Sequence, residues 1–229
     1  IASFLSEDDD PRREGLLRTL TQKDLRDVTE EVLSDHLAHT PNMEELPQAV
    51  YTSWVLCPRV QLEPLTPWRK ALRQVFSPAE GAIYRANPAA LWDALCRRMD
   101  TNLTQVYAGQ STGLVWTPLE AWQAGRCDER SLRILYVALL RALGIPARLR
   151  TLDGMPEFWQ DGAFRPLHPQ AEGTLILRCG EGQNPLYRQN WSLSQRTGGS
   201  WQLLQLSDEG WQEGRRTLTL PVGRYRLTT

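Results

Sequence analysis

Little in this chain is concentrated enough to name a chemistry at first sight. It has four cysteines in 229 residues, Cys57, Cys96, Cys127 and Cys179, and no two stand in a CxxC or other metal-like spacing. That excludes a zinc ribbon, and four thiols are too few to staple a chain of this length, so disulfides are not implied. No apolar run is long enough to cross a bilayer, and a mean hydropathy of -0.44 fits an ordinary globular chain. Charge of one sign is missing too. With 26 basic against 27 acidic residues, there is no footprint for nucleic acid and no polybasic block for an anionic surface. A charged start followed by an apolar stretch, as in a signal peptide, is also absent. The sequence opens on Ile1 and closes on "LPVGRYRLTT", which reads as a strand with no closing turn; both ends suggest a piece of a longer protein.

What is present is helical punctuation in the first half. Thr66-Pro67, Asn87-Pro88 and Thr117-Pro118 each put a capping side chain before a proline at the first helical position, and so predict three helix starts. A further acidic start at Thr29, Glu30 and Glu31 points Val32, Leu33 and Leu37 inward. After Asn87-Pro88, the residues Trp92, Leu95, Cys96 and Met99 recur at helical spacing, which predicts one apolar face with Cys96 in the core.

The segment "WQAGRCDERSLRILYVALLRALGIPARLR", from Trp122 to Arg150, is the densest. Between Leu132 and Leu143 apolar residues fall on nearly every side, the mark of a central helix. Gly144 supplies the left-handed exit and Pro146 forbids continuation, so the chain leaves as a strand. Turn pairs at Asp153-Gly154 and Asp161-Gly162 then predict three short antiparallel strands between Ala147 and His168. Beyond Pro169, short alternating runs separated by glycine-rich turns predict a small β-sandwich.

Cys127 stands just before the first turn of the central helix, where unpaired amides and the macrodipole favour a thiolate. Asp128 and Glu129 oppose this, and Arg126 and Arg130 offset them. The Gly-x-Cys, the helix and the Leu-Gly-Ile-Pro-Ala-Arg exit together resemble the signature of the transglutaminase-like superfamily, a branch of the papain-like cysteine fold. Upstream, "KDLRDVTEEVLSDHL" and "LCPRVQLEPLTPWRKAL" resemble the region that precedes this core in large bacterial envelope proteins. The resemblance implies an α+β fold: a helical N-terminal region over 1–86, a transglutaminase-like core with an antiparallel sheet over 87–169, and the β-sandwich over 170–229. It also implies an extracytoplasmic location.

The resemblance implies a Cys-His-Asp triad with Cys127 as nucleophile. The family's histidine position, counted back from the Asp161-Gly162 turn, falls on Asp153, or on Met155 with a slip of two residues. Its aspartate position falls on His168, in "FRPLHP". The site therefore reads as degenerate, which makes the chain a scaffold or binding module within a larger protein. The competing expectation is an active cysteine hydrolase or acyltransferase in which Asp153 and His168 exchange strands and His168 acts as base.

Trp122 and Trp159 are the candidate substrate contacts beside Cys127. Trp191, Trp201 and Trp211 are further flat faces on which a sugar or peptide can stack, although core packing is the plainer use of them. A cell-surface protein, peptide or glycan is the partner class this implies, with no cofactor. His36 and His39 share a helix face and are weighed as metal ligands, but read as a solvated helix end; Glu7, Asp8, Asp9 and Asp10 lack the spacing of a calcium loop and read as an exposed linker. No metal is expected.

Overall fold

The computed structural model describes residues 10–101, 115–169, 171–180, 182–197 and 200–229. The fold mixes helix with antiparallel sheet, an α+β arrangement. It divides into two compact units: Ile1–Leu149 with Met155–Leu167, and Arg150–Gly154 with His168–Thr229. Among the described residues no helix is long and apolar enough to cross a membrane.

In the first unit, α1 (Arg12–Arg18), α2 (Gln22–Asp27) and α3 (Glu30–His39) lead to α4 (Gln48–Tyr51), which runs on into a π-helical turn at Thr52–Leu56. Thr21 and Thr29 cap α2 and α3, each accepting a backbone N–H of the first turn. Leu16, Leu33, Leu37, Val55 and Leu56 join these elements in one buried cluster. Then come α5 (Arg69–Arg73), α6 (Pro78–Ala86), α7 (Pro88–Arg98) and α8 (Pro118–Ala124), and finally α9 (Glu129–Ala142).

The central helix is where the apolar pattern put it. From Ser131 to Ala142 every residue except Arg133 is buried. This helix packs against α5, α7, α8 and the sheet that follows it. Each large apolar side chain so covered is worth roughly 1.5–3 kcal/mol against exposure, which is why this one helix organises the unit. Its end is built from Gly144, at φ 85°. The Gly144 N–H donates to Arg141 O (3.1 Å) and the Ile145 N–H to Leu140 O (2.9 Å), so the last turn closes on itself before Pro146.

Strands β1 (Ala147–Leu149), β2 (Pro156–Gln160) and β3 (Ala163–Pro166) form an antiparallel sheet in that order. Asp161 (φ 52°) and Gly162 (φ 78°) turn the β2–β3 hairpin in two residues, as their left-handed preference predicts. One face carries Ala147 and Phe158, both in the cluster around α9. The opposite face carries Arg148, Glu157, Trp159 and Phe164.

Three local expectations are corrected. Cys96 is exposed, because it lies one 100° step round the helix from the buried row Leu91, Leu95 and Met99. Thr66-Pro67 does not open a helix: α5 begins at Arg69, and the carboxylate of Asp35 in α3 accepts the first amides, Arg69 N (2.8 Å) and Lys70 N (3.2 Å). Asp153-Gly154 is not a tight hairpin, since β1 ends at Leu149 and β2 begins at Pro156. The longer connection is closed by Gly154 N–H donating to Arg150 O at 2.8 Å.

In the second unit, β4 (Glu172–Arg178) pairs antiparallel with β7 (Arg215–Pro221). Strand β5 (Ser192–Thr197) is the centre of a three-stranded antiparallel sheet between β6 (Ser200–Leu203) and β8 (Tyr225–Thr228). Leu177, Tyr187, Trp191, Leu193, Leu204 and Leu220 make its buried cluster. The Tyr187 hydroxyl is held inside it, 2.7 Å from Leu204 O and accepting from Leu193 N.

Candidate thiol site

Thr117 and Glu120 cap α8 reciprocally, and Gly125 (φ 63°) turns the chain out of it. The next residues are pinned by backbone: Asp100 N–H donates to Gly125 O (2.9 Å) and Cys127 N–H to Asp100 O (3.2 Å). Asp128 is the N-cap of α9. Its carboxylate accepts from Ser131 N and from Ser131 Oγ, both at 2.9 Å, while Ser131 Oγ accepts from Trp116 N (3.1 Å). Cys127 thus stands one residue before the cap of the central helix, as the sequence pattern requires.

The thiol itself is sealed. Cys127 is 0% exposed and belongs to the apolar cluster around α9. Burial, reinforced by the Asp128 carboxylate, pushes its pKa up to about 12. Desolvation penalises the thiolate more than the helix terminus favours it. Arg126 and Arg130 are exposed, and Arg130 Nε donates to Gln61 Oε1 (2.8 Å), so their charges are spent in solvent. No hydrogen-bond partner of the Cys127 thiol is found among the described residues.

The other two candidates of the triad lie in the second unit, whereas Cys127 lies in the first. Asp153 is gripped by Arg150, whose Nε and Nη2 donate to Oδ1 (2.9 Å) and Oδ2 (2.5 Å). His168 is exposed. The tryptophans proposed as substrate contacts are half-buried and engaged. Trp122 meets the Arg98 guanidinium at 4.0 Å from its ring centre and Phe76 edge-on at 5.9 Å. Trp159 packs edge-on against Phe164 (5.2 Å), and Arg148 lies over Phe164 (3.9 Å) and donates to Glu157 (2.9 Å).

A second constellation escaped the sequence reading. His36, Arg69 and Arg141 are fully or almost fully buried and come from α3, α5 and α9. This corrects the view of His36 as part of a solvated helix end. Arg69 Nε donates to His36 Nδ1 (3.1 Å), which leaves His36 Nε2 to donate to Thr66 O (3.1 Å) and fixes a neutral ring. The two guanidiniums are satisfied by carbonyls: Arg69 by Leu56 O and Arg141 O, Arg141 by Cys57 O, Arg59 O and Ala147 O. Several of these oxygens end helical segments, where the dipole is negative. Burial lowers the Arg69 pKa to about 9, with Arg141 adding to the effect, so it still carries its charge at pH 7. Burial and Arg69 hold the His36 pKa well below its usual value. The visible signal was Arg141, a charge set in the run 134–143 that is otherwise free of charge.

Asp10 pairs with Arg12 (2.7 Å), while Glu7, Asp8 and Asp9 lie outside the described residues. Among the described residues no group of three or more His, Cys, Asp or Glu side chains is arranged to hold a metal. Comparison of the chain with family models, with characterised proteins and with solved structures gives no match.

Proposed function

We propose that this chain is a non-catalytic relative of the transglutaminase-like superfamily. Its helix-and-meander core serves as a scaffold or binding module within a larger extracytoplasmic protein, and residues 170–229 form a small β-sandwich. A buried helix opened by Cys127 and followed at once by three antiparallel strands supports the ancestry. The observation that carries the loss of activity is the state of the thiol, with no exposed surface and a pKa of about 12. A nucleophilic cysteine has to be both reachable and ionised, and a buried thiol with its pKa raised in this way stays protonated at pH 7. The family's histidine position, counted to Asp153 or, with a slip of two residues, to Met155, supplies no imidazole in either register.

The test is alkylation by iodoacetamide across pH, read by peptide mass mapping, with Cys127→Ala as the blank. Exposed Cys96 labels in the folded protein and Cys127 only after unfolding. Native labelling of Cys127 faster than a model thiol, abolished in His168→Ala, sinks this reading and installs the cysteine hydrolase or acyltransferase in its place.

A further inference from the structure

The second unit contains a cavity of about 490 Å3 at the C-terminal end of β4. Its size falls within the roughly 300–1,000 Å3 of small-molecule sites. Its walls include Leu177, Trp191, Trp211, Gln183, Asn184 and Asn190. The two indoles form a rigid corner: their rings meet edge-on at 5.8 Å, and both Nε1–H groups donate to one acceptor, Pro185 O, at 3.1 Å. With both N–H groups spent, the rings offer a ligand only faces and edges. Trp191 is backed by the Arg216 guanidinium, 5.2 Å from its ring centre, which fixes it further.

The polar part of the wall is mostly neutral. Three carboxamides, each able to donate and accept, line it, with Arg178 as a lysine-free site's one cationic side chain. Asn190 Oδ1 already accepts from Leu186 N (2.9 Å), which orients its amide. Apolar ring surface next to neutral groups that both donate and accept matches a pyranose, which has a C–H face and an edge of hydroxyls. A peptide added as a strand needs a free sheet edge. Leu227 of β8, an edge strand, also lines the cavity, so a peptide strand is the competing ligand that the test has to exclude.

We propose that this cavity binds a neutral saccharide, stacked on Trp211 and hydrogen-bonded by Asn184, Gln183 and Asn190. The proposal extends the binding-module reading to a ligand class, yet the two fail separately: a reactive Cys127 would end that reading and leave this site standing.

The test uses the full chain with tri-N-acetylchitotriose, cellotriose, maltotriose and, as the peptide probe, trialanine, followed by tryptophan fluorescence and saturation-transfer NMR. At least one trisaccharide is expected to bind saturably, with Asn184→Ala weakening it several-fold. Trp211→Ala, checked for folding by urea titration, should weaken it by about tenfold or more, while Trp201→Ala, outside the cavity, leaves it unchanged. If Trp211→Ala fails to fold, Gln183→Ala combined with Asn184→Ala decides, since both residues are exposed. Binding of none of the trisaccharides at millimolar concentration, binding untouched by the deciding variant, or binding of trialanine alone would overturn the proposal.

Discussion

At the scale of single residues, the two groups that matter most are neutral in the fold because water has been removed from them. Cys127 is a sealed thiol and His36 a sealed imidazole. The unfolded chain titrates His36 near 6.5, while the native ring is held well below that value. Above about 6.5 both states are neutral; below it only the unfolded chain takes the proton, so stability present at neutral pH is lost as the pH falls. The unfolding free energy from urea titrations should therefore drop between pH 7 and pH 5, by at most about 1.4 kcal/mol per pH unit from this one group. In His36→Gln this component disappears and the profile flattens. His36→Ala, which strands Arg69 Nε and Thr66 O in a dry site, should cost about 3–5 kcal/mol at neutral pH, and less as the pH falls and the wild type loses its own share. An unchanged pH profile in His36→Gln would show that the ring does not remain neutral. None of this was legible from His36 and His39 at helical spacing, because what buries His36 is Arg69, more than thirty positions away in the chain.

Local chemistry was readable at the scale of elements wherever the partner is near in sequence, and unreadable where it is distant. Thr117, Pro118 and Glu120 lie within one turn, and their capping box is present as the pattern demands. Trp68-Arg69 shows no cap of its own, and its helix is started by Asp35 from α3. Cys96 illustrates a finer limit, since helical periodicity narrows a face to about 100° and a neighbouring position falls outside it. The turn at Gly144 was legible, and its strictness yields a prediction. A Cβ there would sit at φ 85° and 2.9 Å from Met43 Sδ, whereas at Gly154 (φ 69°) it would meet nothing within 4 Å. Gly154→Ala should then cost about 1 kcal/mol for the backbone alone, and Gly144→Ala about 2–4 kcal/mol as the thioether is displaced as well. Asp128→Ala, which removes the cap of α9, should cost about 1–2 kcal/mol. Thermal melts of the three variants check the order, and equal losses at Gly144 and Gly154 would remove Met43 from the explanation.

For the whole molecule, the division into units follows from where the apolar residues gather, since each unit has buried clusters built from its own segments. The boundary is not a single cut in the sequence. The connection between β1 and β2 leaves the first unit: Leu152 packs on the second cluster, Leu152 O accepts from Gln205 N (3.3 Å), and Arg150 pairs with Glu172 (3.7 Å). Composition along the chain could not reveal this, because five residues carry no compositional signal and their partners lie tens of positions downstream. The energetic consequence is testable by hydrogen exchange. Leu193 is 1% exposed in the second cluster and Leu135 0% in the first, and truncating either to alanine should cost about 2–5 kcal/mol. A unit that owns its core opens as a unit. Leu193→Ala should therefore speed exchange across β4, β5 and β7 and also in 150–154, where the chain belongs to the second unit, while amides of α9 keep their protection. Leu135→Ala should do the reverse, exposing α9, β2 and β3 and sparing 150–154. If Leu193→Ala leaves 150–154 protected, the connection draws its stability from the first unit and the boundary falls after β3; if both variants loosen every element alike, the two cores form one cooperative structure.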